Sequence, residues 1–194
     1  MWENLCLLAS TAEKVRTSNE KKIILERLQL YWKGDIYNTA GGHALKLKDG
    51  IIISVRLLQN GPRLCAIYVV GKDKKLVWST SFEESYTFIN RVKMEMKQHK
   101  IKLYQTNAFA LLEQVINASS LLTSAIIPIG QPTIINTDVS CLCDLNGKTI
   151  VLVVNPDTTL LDTLQLSIRI NNKNIIKARN ENLDTFLLRI YAIK

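Results

Sequence analysis

The chain has little of what punctuates or staples a protein: 8 Gly, 4 Pro, 4 Cys and 2 His in 194 residues. So little Gly and Pro excludes a fibrous or low-complexity chain. Four cysteines in no recognisable framework exclude a disulfide scaffold and point to a reducing, intracellular compartment, nucleus or cytoplasm. Two histidines leave few ways to build a base oriented by a third group. His43 reads as a surface or cap residue after Gly41-Gly42, and His99 as a helix-end cation. Long apolar runs are also missing. The longest, residues 121–129, is broken by Thr123, Ser124 and Pro128 and is too short to span a bilayer. The opening MWENLCLLAS has no Lys or Arg before its apolar patch, unlike a signal peptide. Nucleotide loops (G-x-G-x-x-G, Walker lysine), D-x-D calcium loops and H-E-x-x-H are absent, and no internal repeat stands out. The expectation is a non-enzyme without cofactor or metal.

What is present is a globular composition, 47% hydrophobic and 22% charged, with a net charge of +8. The charge is uneven. Residues 1–105 carry 18 Lys and Arg against 10 Asp and Glu, whereas residues 106–194 carry 7 of each. One basic and one neutral region follow.

The stretch VSCLCDLNGKTIVLVV, residues 139–154, looks most like chemistry, with Cys141 and Cys143 one residue apart. Asn146-Gly147 is a strong hairpin signal, because a type I′ turn needs φ > 0 at both central residues. A two-residue turn there sets Cys143 opposite Ile150, Cys141 opposite Leu152 and Val139 opposite Val154. Both cysteines then share an apolar face. A zinc or iron–sulfur site needs three or four converging ligands, and none converge here. The cysteines read as small core hydrophobes.

Along the rest of the chain, residues 3–32 read as helix, with TSNEKK (17–22) a possible break in the apolar stripe. Four antiparallel strands follow in a meander over about 43–82, with tight turns at Lys48-Asp49-Gly50 and Asn60-Gly61. Ser81 and Glu84 form a capping-box pattern that opens a helix to about His99, with Phe82, Tyr86, Ile89, Val92 and Met96 inward. IKLYQ (101–105) reads as a strand or link, and Thr106-Asn107 as the cap of another helix. From about 133 the pattern is all β: the cysteine hairpin, a turn at Asn155-Pro156-Asp157-Thr158, the alternating strand TLQLSIRI and a last strand TFLLRIYAI. The fold class is α+β: a long N-terminal helix, an antiparallel β-meander covered by two helices, and a C-terminal all-β, sandwich-like module. The division falls at 1–130 and 131–194, the second region packing on the first.

Two functional readings emerge. The first is a non-enzymatic interaction or scaffold subunit of an intracellular multiprotein complex, without membrane insertion. It docks through Leu5, Leu8, Val15, Ile24 and Leu28 on the long helix, and through Leu164, Leu166 and Ile168 on TLQLSIRI taken as an edge strand. The alternative is a DNA- or RNA-binding module using the lysine-rich loop (Lys72, Lys74, Lys75) and a basic helix face (Arg91, Lys93, Lys97, Lys100, Lys102). A third, thiol-dependent activity would use Cys65 or Cys141.

Overall fold

The computed structural model describes residues 2–122, 125–156 and 164–193, with side chains from residue 16 onward. Among these residues the fold is α+β, with three helices and two antiparallel sheets. Against the expected division at 130/131, the contacts group the chain into two compact units, Met1–His99 and Lys100–Lys194.

The first unit opens with helix α1 (Trp2–Tyr31), continuous through TSNEKK. A sheet of five strands follows in simple up-and-down order: β1 (Gly34–Thr39), β2 (Gly42–Leu47), β3 (Ile52–Leu58), β4 (Gly61–Val70) and β5 (Asp73–Trp78). The expected meander lacked β1, whose sequence GDIYNT shows little of the apolar alternation of a strand. Side chains alternate across a strand, and Leu45, Ile53, Ala66 and Tyr68 share the buried face. Leu25 and Leu28 of α1 are buried with them, and α1 contacts β1, β2 and β3. The chain turns tightly from α1 into the sheet. Gln29 Nε2 donates to the Gly34 carbonyl (2.7 Å), and a Cβ at Gly34 would run into the Lys46 carbonyl oxygen, so only glycine fits there.

Helix α2 (Ser85–Ser119) corrects three expectations. The helix begins after the Ser81–Glu84 pattern, which forms no capping box. Ser81 Oγ instead accepts from Arg63. Phe82 and Tyr86 face solvent, while Ile89, Val92 and Met96 are buried. The helix also runs straight through IKLYQ and Thr106-Asn107. Thr106 caps nothing: its hydroxyl donates back to the Lys102 carbonyl (3.0 Å), a bond Thr makes inside a helix. Residues 88, 92, 96, 104, 108, 112 and 115 are all buried, a helical stripe whose one polar step is Lys100.

In the second unit, α2 contributes Tyr104, Ala108, Leu112 and Val115 to a core completed by one sheet face and helix α3 (Leu183–Tyr191). The strands are β6 (Ile127–Pro128), β7 (Thr133–Ile135), β8 (Asp138–Leu145), β9 (Lys148–Pro156), β10 (Leu164–Ile170) and β11 (Lys173–Ile176). Their order is β11-β10-β9-β8, with β6 and β7 both pairing β8 as a broken edge strand. TFLLRIYAI is therefore helix rather than strand, and the unit is not all β. Asn182 caps α3 by accepting from Thr185 N (2.7 Å), and Phe186, Leu187 and Ile190 are buried at helical spacing. The turn expected at residues 155–158 lies partly outside the described residues.

The second unit repeats the first, contrary to the expectation of no internal repeat. Each is helix, antiparallel meander, helix. EESYTFINRV (83–92) aligns with ENLDTFLLRI (181–190), with Glu, Thr, Phe and Arg identical at a spacing of 98 residues. These residues build the same clamp twice. In the first unit, Arg91 Nε and Nη2 donate to both Glu83 oxygens (each 2.8 Å), and Nη2 also donates to the Trp78 carbonyl (3.0 Å). Thr80 N–H donates to Glu83 (3.1 Å), and the guanidinium lies 5.4 Å from the Phe88 ring centroid. In the second, Arg189 binds both Glu181 oxygens (2.9 and 2.7 Å) and the Ile176 carbonyl (3.0 Å). Ala178 N–H donates to Glu181 (2.9 Å), and Phe186 lies 5.3 Å beneath the cation. Each clamp fastens the last strand of a sheet to the helix after it. Bidentate Arg–carboxylate geometry makes it directional.

Candidate functional site

Cys141 and Cys143 sit where the hairpin places them, opposite Leu152 and Ile150, with Asn146 (φ 54°) and Gly147 (φ 77°) at the turn. Both are buried and in no disulfide, the Cys143 thiol donating to the Cys141 sulfur 3.7 Å away. Burial, and then the neighbouring Cys141 thiol, pushes Cys143 up to about 12, so it is a neutral thiol at physiological pH. Burial also raises Cys65. No group of three or more metal-ligating side chains occurs among the described residues. His99 Nε2 lies 3.4 Å from Asp73, with its ring edge-on to Tyr68, while Nδ1 is buried without a hydrogen-bond partner.

Of the residues expected to meet a partner, most of those described belong to the two cores. The side chains of Leu5, Leu8 and Val15 lie outside the described residues. Ile24 is half-buried, and Leu28 belongs to the core of the first unit. Leu166 and Ile168 are core, and Leu164 packs against that core. The strand that carries them, β10, lies between β9 and β11 and is no edge. The alternation of TLQLSIRI marks a half-buried strand, and its apolar half faces inward.

The cations expected to bind nucleic acid do not form one free stripe. Arg91 is held by Glu83 and Glu95. Lys93 Nζ lies 3.4 Å from Asp49 and 4.6 Å over the Trp32 ring. Lys72, Lys74, Lys75 and Lys97 are exposed in the first unit, with Lys74 and Lys75 on opposite faces of β5. Lys100 and Lys102 are grouped with the second unit.

What the sequence pattern did not single out is the outer face of the first sheet. Its register sets up cross-strand rows. One row reads Asp35, Lys46, Ile52, Ile67, Leu76, and the next Tyr37, Ala44, Ser54, Cys65, Trp78. Beyond them lie Arg56 opposite Arg63 and, at the other end, Val69 opposite Lys74. Val69 is 58% exposed, Leu76 56%, Trp78 39% and Tyr37 37%. Ala44 and Cys65, in the middle row between the two aromatics, are small and covered by their neighbours. Arg56 lies over Trp78, 5.6 Å from the ring centroid. At the β1–β2 margin, Gln29, Lys33, Asp35, Lys46 and Lys48 line a cleft of about 460 Å³. The signal was available in the period-2 pattern of β3 and β4, where IIISV and CAIYVV have apolar residues at both parities. Such strands are apolar on both faces, and among the described residues no element of the first unit covers the second face.

The equivalent rows of the second unit differ. Opposite the clamp they read Thr133, Ser140, Val153, Ser167, Ile176, then Leu142, Val151, Arg169, Asn174, with Asn155 opposite Gln165. Trp78 becomes Ile176, and the Arg56–Arg63 pair becomes Asn155–Gln165.

No helix among the described residues is long and apolar enough to cross a membrane. Comparison with known proteins finds no matching family model, no matching curated protein and no matching solved structure.

Proposed function

We propose that this chain is a non-enzymatic interaction subunit of a larger intracellular assembly, and that it docks through the outer face of the sheet β1–β5. One observation carries the reading: Val69, Leu76, Trp78 and Tyr37 are left exposed beside half-buried Ile52 and Ile67 on one continuous face. Apolar surface gathered in this way is stabilised by being covered, and it commonly marks an interaction site. A reducing compartment, nucleus or cytoplasm, suits three buried free thiols. The nucleic-acid alternative draws less support, since Arg91 and Lys93 are engaged within the fold.

The test compares the two outer faces. Full-length protein carrying Val69→Asp and Leu76→Asp is used as bait beside the unaltered chain and a Leu142→Asp control on the second sheet. The expected result is loss of co-purifying partners for the first variant only, with all three melting alike. Identical recovery from all three baits would defeat the proposal.

A further inference from the structure

We infer that the outer face of the first sheet takes an acidic amphipathic helix from a protein partner. This rests on the docking reading above and adds the chemistry of the occupant. The face carries four cations, Lys46, Arg56, Arg63 and Lys74, against one acid, Asp35. Lys33 and Lys48 extend the positive margin into the cleft at β1–β2. The centre is aliphatic and aromatic, so the complement is an apolar stripe flanked by carboxylates. Charges placed in this way steer and orient a partner of opposite sign.

A second copy of this chain fits poorly on that face, because a twofold pairing would lay one cationic face on another. A nucleic acid would find the cations, but it would leave Ile52, Ile67, Leu76 and Val69 without apolar cover. Dimensions favour a helix. The outermost of five strands are roughly 19 Å apart, a distance that about 13 helical residues span. The repeat supplies an internal control. The second sheet has the same plan but holds Asn155 and Gln165 at the arginine positions and Ile176 at the tryptophan, and its outward Arg169 is offset by Asp144 on the margin. Acid recognition therefore belongs to the first sheet alone.

Three fluorescein-labelled probes test it by anisotropy on the full-length protein. They are a 20-residue Leu/Glu amphipathic peptide, the same peptide with Lys at every Glu, and a 20-nucleotide single strand of DNA. The expected result is saturable binding of the Glu peptide, weakened by added salt and by about tenfold or more in Arg56→Glu/Lys74→Glu. Leu142→Asp should leave it unchanged. The salt series on unaltered protein decides the matter even where the double variant misfolds. If the Lys peptide binds as well as the Glu peptide, the acid preference falls while docking at the face survives. Tighter binding of the DNA than of the Glu peptide overturns the inference in favour of nucleic acid. If no probe binds, both the inference and the docking reading lose their basis.

Discussion

At equivalent places in the two units, inward side chains beside the clamp match, whereas the outward ones there do not. Val55, Leu64 and Phe88 of the first unit correspond to Val154, Leu166 and Phe186 of the second, and the Glu–Arg clamps agree closely in every bond length. On the other side of the same strands, Trp78 corresponds to Ile176, Arg56 to Asn155, and Lys46 to Leu142. The inward set has to fill a closed space, where each methylene counts. The outward set is free of that constraint, so its chemistry is set by what it meets. That contrast is the ground for proposing the outside of the first sheet as the docking face.

The hardest test of the equivalence is in the core. Phe88 and Phe186 are each fully buried beneath their clamp arginine. Phe88→Ala and Phe186→Ala should each cost about 3–5 kcal/mol, the range for truncating a buried Phe. Urea denaturation gives the cost, and regional hydrogen exchange tells which unit opens. A loss confined to one of the two would break the comparison.

The clamps come next. Removing Arg91 leaves Glu83, only 9% exposed, without its main donors, and frees the Trp78 carbonyl. Arg91→Met should cost about 2 kcal/mol, in the range of a hydrogen-bonded charged group. Arg189→Met should destabilise by less, because Arg189 is more exposed and lacks the extra carboxylate that Glu95 gives Arg91. Melting temperatures of the two variants check the order. Arg189→Met melting lower than Arg91→Met would reverse it.

Much of the fold was legible where local chemistry and tertiary structure agree. Asn146-Gly147 fixed the cysteine hairpin to the residue, because only φ > 0 closes that turn. Legibility ended where a local signal competed with a longer period. IKLYQ looks like a strand over five residues, but the buried stripe from Phe88 to Val115 runs straight across it. TFLLRIYAI is rich in aromatic and β-branched residues, yet an Asn cap and a clamp hold it as helix. Its resemblance to TFINRV ninety-eight residues earlier was the one signal that could have revealed both the helix and the repeat. The face proposed for docking was hidden for another reason. A strand apolar on both sides looks equally like one sandwiched between layers, and only the structure tells which layer is missing.

The smallest effect is also the most specific, and it concerns pH. Hydrogen bonds from Arg189, then the Ala178 amide and the nearby charges, hold Glu181 at about 2, well below its ordinary 4.5. Glu83 is lowered in the same way, first by its hydrogen bonds to Arg91. A carboxylate held low stabilises the fold fully above its unfolded value, and that contribution disappears as pH falls through the folded one. The Glu181 contribution should therefore be intact above about pH 4.5 and gone by about pH 2. Glu181→Gln should lower the melting temperature at neutral pH and flatten its decline across that window. The double variant with Glu83→Gln should flatten it further, since each unit carries its own clamp. A Glu181→Gln curve parallel to that of the unaltered chain throughout would mean the second clamp is only a surface ion pair, and that the two units share a plan without sharing its fastening.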